Sequence, residues 1–294
     1  MEFGIIPPVR TGVTADPDWM TSFARLVESA GFESIVLVEH AVVISDYTST
    51  YPYAASGRMP LPDDCRIPDP LDLMAFLAAV TDRITLATGV LVVPNHQAVV
   101  LAKRIATVDV LSKGRVRMCL GVGWMDEELR ATGADPRTRG RRMDETIDAM
   151  RALWANSGPD GASFEGEFVT FDHAHSFPKP FRPAGVPLHI GGHSEAAARR
   201  AGRLGDGFQP LGLGADDLAL RIGQMREAAE RAGRDPDAIE LSVSGYLPTT
   251  TEEEVAAAEA AGIRRILVST SMNPELDGLA EEIEAFARRF GPLS

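Results

Sequence analysis

Cysteine is scarce: only Cys65 and Cys119 occur among 294 residues. Two thiols without metal-type spacing make neither a zinc centre nor a disulfide framework, so a reducing cytoplasm is the expected compartment. Basic charge is also short. Lys and Arg number 29 against 42 Asp and Glu, a formal charge of −13. Such a surface repels phosphate backbones and anionic bilayers, so neither nucleic acid nor membrane is an expected partner. No apolar run approaches the ~18 residues of a membrane span. Residues 1–10, MEFGIIPPVR, lack the basic start and long apolar centre of a signal peptide. Aromatic residues are only 6% of the chain, yet three of its four tyrosines, Tyr47, Tyr51 and Tyr53, crowd into one stretch.

What is abundant is alternation. Short apolar runs at 2–8, 33–40, 83–93, 114–123, 186–192, 207–212, 239–247 and 264–270 are each followed by a segment of helical periodicity. Asp16-Pro17 and Asp69-Pro70 are helix starts, and helices are expected at 98–112, about 137–156, 194–204, 215–232, 251–261 and 275–290. Residues 157–186 break the rhythm with β-type alternation and prolines, and read as an insertion with a short hairpin. Eight strand–helix units with continuous apolar strands predict a parallel (β/α)8 barrel in one domain over 1–294. A doubly wound open sheet is the runner-up. In a barrel the chemistry sits at the carboxyl ends of the strands.

Those ends hold few residue types capable of chemistry. Strand two ends in Glu39-His40, and a histidine there can exchange a proton with a bound ligand. Strand three runs through Gly89-Val90. Strand four ends in Gly121-Val-Gly123-Trp124 and an acidic turn, Asp126 to Glu128. Strand five ends in Gly191-Gly192-His193-Ser194, where glycines and helix-start amides suit an anion and Ser194 suits an N-cap. The same four residues also make an ordinary tight turn. The 41–68 loop is long enough for a lid, its tyrosines suited to covering a flat ring or to packing on the barrel. His173-x-His175 lies in the insertion without further ligands, so no metal site is expected. His96 and His189 have no partner visible in the sequence.

The segments AGFESIVLVEHAVV, RITLATGVLVVPNHQAVVLAKRIATVDVLSKGRVRMCLGVGWMDEELRATG, RGRRMDETIDAMRALW and PLHIGGHSEAAARRAGRLGDGFQP together resemble the luciferase-like oxidoreductases over nearly the whole chain. Within that family the chain resembles the group that uses the deazaflavin coenzyme F420, and HAVVISDYTSTYPY is typical of one actinobacterial-type subgroup of mostly uncharacterised proteins. The resemblance implies a TIM-like barrel with a deazaflavin or flavin in its mouth. The ring would lie against a strand-three bulge at Gly89-Val90, often a non-prolyl cis peptide. The phosphate would lie at Gly191, Gly192, His193 and Ser194. Glu39, Gly123 and Trp124 would border the cofactor, and His40 would stand beside the ring. Asp126 falls near the position where some relatives carry an acidic glutamate, with a shorter side chain. Ala98 replaces a proline common in related sequences.

The implied reaction is hydride transfer between coenzyme F420 and a small organic substrate, with His40 and Asp126 as proton-handling residues and Tyr47, Tyr51 and Tyr53 shaping the pocket. An FMNH2-dependent monooxygenase is the first alternative and a non-catalytic flavin-binding protein the second. Relatives of this kind are often homodimers.

Overall fold

Strand β1 (Glu2–Ile6) leads into helix α1 (Pro17–Ser29), capped by Asp16, whose carboxylate accepts the amides of Asp18 and Trp19 with proline in the first turn. The computed structural model describes residues 1–291. Next come β2 (Ser34–Leu37), α2 (Pro70–Ala78), β3 (Thr85–Thr88), β4 (Leu91–Val92), α3 (Ala98–Leu111) and β5 (Val116–Gly121). Helices α4 (Asp126–Ala131) and α5 (Arg139–Ala155) precede a separate antiparallel hairpin of β6 (Ala162–Glu165) and β7 (Thr170–Ala174). The chain then runs through β8 (Leu188–Gly191), α6 (Glu195–Leu204), β9 (Gly207–Gln209), α7 (Ala215–Arg231), β10 (Glu240–Tyr246), α8 (Glu252–Ala260), β11 (Arg265–Ser269) and α9 (Leu276–Phe290).

Strand β1 pairs with both β2 and β11, and β3 pairs with β5. Every barrel pairing is parallel, so eight strand positions close into a ring with β3 and β4 sharing the third. This is the expected (β/α)8 barrel. Alternation along the strands separates two environments. Phe3, Ile5, Ile35, Leu86, Met118, Leu120, Leu188, Ile190 and Val268 face outward into the main core beneath the helices. The inward set is smaller and partly polar. Val36, Ala87 and Leu267 form its apolar middle.

The floor of the barrel departs from the apolar strands read in the sequence. Arg265, 3% exposed, meets Glu2, Glu33 and Glu240, and Arg117 meets Glu33 and the Ser34 hydroxyl. Burial works against the Glu33 carboxylate, but Arg117 and Arg265 together hold it down to about 2. His189 lies in the same layer, 3.8 Å from Glu240. Burial, with Arg117 and Arg265, pushes its imidazole well below the usual value, so it stays neutral.

Two other expectations are corrected. The run 83–93 is not one strand: β3 and β4 are separated at Gly89–Val90, whose peptide is cis, as the resemblance implied for that place. The acidic turn after β5 is helix α4, whose first turn holds Asp126, Glu127 and Glu128, the charge that a helix N-terminus favours.

Candidate functional site

Strand β2 stops at Leu37, and the next three residues leave the sheet at the barrel mouth. His40 Nδ1 lies 3.0 Å from Glu128 Oε2, and Glu128 Oε1 accepts the Ala41 amide at 2.7 Å. Glu128 is buried, and the sequence reading passed over it. A carboxylate on Nδ1 keeps the proton there and leaves Nε2 as the atom free to exchange one. Asp126, the acid chosen from the sequence, points elsewhere. It pairs with Arg139 at 2.7 Å and Arg130 at 3.4 Å.

Glu39 is also turned from the role expected of it. Its buried carboxylate accepts the Val92 amide and meets His96 Nε2 at 2.6 Å. It therefore ties the end of β2 to β4 from behind and supplies the partner His96 lacked.

The glycines of strands three to five surround Val90. A Cβ on Gly121 would lie 2.6 Å from Val90 Cγ2, and one on Gly191 would collide with Val90 Cγ1. Gly191 is thus small because the bulge side chain occupies the space above it. A Cβ on Gly89 would meet Val36 at 2.5 Å, and one on Gly123 would meet Val92 at 2.9 Å. Gly192 has φ +122°, where side chains are disfavoured, and its N–H donates to the Gln209 carbonyl at 3.2 Å. The Gly192 amide is therefore committed to β9 rather than available to an anion. Ser194 caps α6, its Oγ accepting the Ala197 amide at 3.2 Å. The amides from His193 to Ala196 stay uncommitted among the described residues. Arg221 from α7 donates to the His193 carbonyl at 2.9 Å and steadies this turn.

The 41–68 loop builds the opposite wall. Trp124 sits edge-on to Tyr47, Tyr51 and His40, with centroids 5.2, 5.1 and 6.3 Å away. Tyr51 contacts Tyr53 at 5.4 Å, and Tyr53 reaches the His193 ring at 5.3 Å. Aromatic contacts thus cross the mouth from strand two to strand five. Tyr47 departs from its expected pocket role: it is buried, its hydroxyl accepts the Met59 amide at 2.6 Å, and Arg58 lies 4.0 Å over its ring. It belongs to the loop's own core. Glu127 anchors the loop, accepting the Thr48 amide and hydroxyl at 2.7 and 2.8 Å and the Ser49 hydroxyl at 2.7 Å.

A proton-exchanging imidazole, an aromatic wall, a bulge lined by backbone and a set of free amides suit a planar cofactor bearing a phosphate. The fold and this mouth define a luciferase-type barrel. Residues 1–291 match the luciferase-like monooxygenase family, and the chain belongs to it. It is similar to an uncharacterized protein of Mycobacterium tuberculosis, 36% identical over 225 residues, 75% of this chain and 77% of the relative. It is 27% identical over 279 residues to the F420-dependent glucose-6-phosphate dehydrogenase of Nakamurella multipartita, covering 92% of this chain and 75% of that one. An FMNH2-dependent dimethylsulfone monooxygenase of Pseudomonas putida is 25% identical over 257 residues, 86% of this chain and 64% of that one. The fold is shared with an F420-dependent secondary alcohol dehydrogenase in complex with an F420-acetone adduct, at TM-score 0.77 and 19% identity over 98% and 97% of the two chains. Family members are oxidoreductases that depend on F420 or on reduced flavin. No helix among the described residues is long and apolar enough to cross a membrane.

Proposed function

We propose that the chain is an oxidoreductase that moves a hydride between coenzyme F420 and a small organic substrate. The observation that carries this reading is the His40–Glu128 pair, set beside Trp124 at the barrel mouth with Nε2 free. Bound there, the deazaflavin would supply the hydride-carrying carbon, and the protein supplies orientation and charge. His40 gives the substrate its proton or takes it away, with Glu128 holding the ring in register. Gly89, Val90 and Gly191 border the cofactor ring, and Glu39 fixes the bulge through Val92. The amides from His193 to Ala196 and the Ser194 hydroxyl receive the phosphate. Trp124, Tyr51 and Tyr53 cover the ring and exclude water.

The F420 choice is supported by the resemblance of residues 40–53 and by the F420-dependent relative. Coenzyme F420 is expected to bind the purified protein at least tenfold more tightly than FMN in fluorescence titrations, about 1.4 kcal/mol. Equal or tighter FMN binding rejects that choice. The similarity to an FMNH2-dependent monooxygenase favours one rival, in which O2 is consumed with reduced FMN. An oxygen electrode separates the two. The protein would act in the cytoplasm as a homodimer. Support for the dimer is the exposed apolar face of α3, Val99, Val100 and Leu111, beside Phe177 and Phe181.

A further inference from the structure

On the mouth side of the barrel, the connection from β1 to α1 and the returning end of the 41–68 loop border an open cavity of about 620 Å³. Arg10 and Arg66 line it, with Gly12, Asp16, Asp64 and Cys65. The two segments are tied together: the Cys65 thiol donates to the Val9 carbonyl at 3.1 Å and the Thr14 hydroxyl to the Arg66 carbonyl at 3.3 Å.

Neither guanidinium forms an ion pair or donates a hydrogen bond among the described residues. Both residues are exposed at the cavity, in a chain with 42 acidic and 29 basic residues. Asp16 and Asp64 share the lining without pairing with either guanidinium. Asp16 spends its Oδ1 on the amides of Asp18 and Trp19, at 3.0 and 3.1 Å. Asp64 is exposed at the rim, where burial and then the Asp64 charge raise the Cys65 thiol, which stays protonated. The cavity lies on the same mouth of the barrel as the candidate site, just past the carboxyl end of β1. Burial raises the Tyr51 phenol, and the Arg10 charge opposes that rise. Tyr51 packs on Trp124, and Trp124 on His40.

We propose that this cavity is a subsite for a small organic oxyanion, a carboxylate or a phosphate monoester, held by Arg10 and Arg66 with the reacting carbon toward Trp124 and His40. A guanidinium matches either group with paired N–H donors. Calling the oxyanion part of a substrate rests on the oxidoreductase reading; the subsite itself does not.

The test uses the full chain, titrated with inorganic phosphate and with acetate at constant ionic strength, in the wild type, Arg10→Gln, Arg66→Gln and the double variant. Circular dichroism first establishes that each is folded. Saturable binding of at least one anion is expected, weakened tenfold or more in the double variant, and the anion preferred separates phosphate ester from carboxylate. Absence of saturable binding, or equal affinity in wild type and double variant, overturns the subsite. Coenzyme F420 is titrated in parallel and is expected to bind the double variant within about twofold of wild type. If F420 binding falls with anion binding, the cavity receives the cofactor's own acidic tail, and the substrate assignment is overturned. A wild type that binds anions through these arginines but no deazaflavin rejects the proposed function and leaves the subsite standing.

Discussion

At His40 the chemistry depends on one buried neighbour. Glu128 bonds both the imidazole and the Ala41 amide, so it fixes the ring and the chain that carries it. His40→Ala is expected to lower turnover by about 10²–10⁴-fold while F420 affinity holds within about twofold. Wild-type turnover in that variant would reduce His40 to a rim residue. Glu128→Gln keeps the shape without the charge; kcat should fall roughly tenfold or more with KM nearly unchanged. Three consecutive acids made Glu128 hard to pick from the sequence. Each residue of a helix turns the side chain by roughly 100°, so Asp126, Glu127 and Glu128 go to Arg139, to the loop and to His40 respectively. A one-residue error of phase selects a different partner. The glycine pair answers to partners distant in sequence: Gly191 to Val90, in the bulge between β3 and β4, and Gly192 to Gln209 on β9. Ser194 was read correctly because a cap acts within its own segment. Ser194→Ala should cost about 1 kcal/mol, lower Tm by about 2–4 °C, and weaken phosphorylated but not dephosphorylated cofactor. A melting curve and the two titrations check this.

Among the elements, α4 has the widest influence for its six residues. Through Glu127 and Glu128 it holds the first half of the 41–68 loop at Ala41, Thr48 and Ser49. Burial raises the Glu127 carboxyl, but the Ser49 and Thr48 bonds outweigh it and hold it at about 2, below its ordinary 4.5. Its contribution to docking the loop is therefore full above about pH 4.5 and is lost as the pH falls toward about 2. Hydrogen exchange of residues 47–53 should stay slow at pH 5 in the wild type and be fast in Glu127→Ala, whose barrel amides remain protected. Equal protection in both proteins would mean that the aromatic contacts alone hold the loop. The longer elements were legible because their periodicity repeats: the starts at Asp16-Pro17 and Asp69-Pro70 and the helix after Gln97 lie within a residue or so of expectation. Helix α4 was not, since one acidic turn and a half has no period to read. The break at Gly89–Val90 was invisible in the apolar pattern, which continues on both sides, and came only from the family resemblance.

For the molecule as a whole, the exposed face of α3 bears on assembly. Val100 and Leu111 are 57% and 61% exposed, and the exposed Phe177 and Phe181 lie in a segment bonded to α3 through Lys103 and Asp109. Val100→Asp with Leu111→Asp leaves the core untouched, so the melting temperature of the subunit should change little. Sedimentation should then report a mass near 31.6 kDa for the variant and twice that for the wild type. A monomeric wild type, or a variant that still dimerises, rejects the dimer. The Arg265 junction also bears on what the growing chain exposes during synthesis. Arg265 joins the last strand to Glu2 on the first across a separation of 263 residues. At ribosomal speeds of 5–20 residues per second, the first strand waits roughly 13–50 s for the partner that closes its open side. Throughout that interval the edge of β1 is an exposed template, and the charge on Glu2 guards it against pairing with another nascent chain. The residue that later neutralises this guard is the one whose arrival makes it unnecessary.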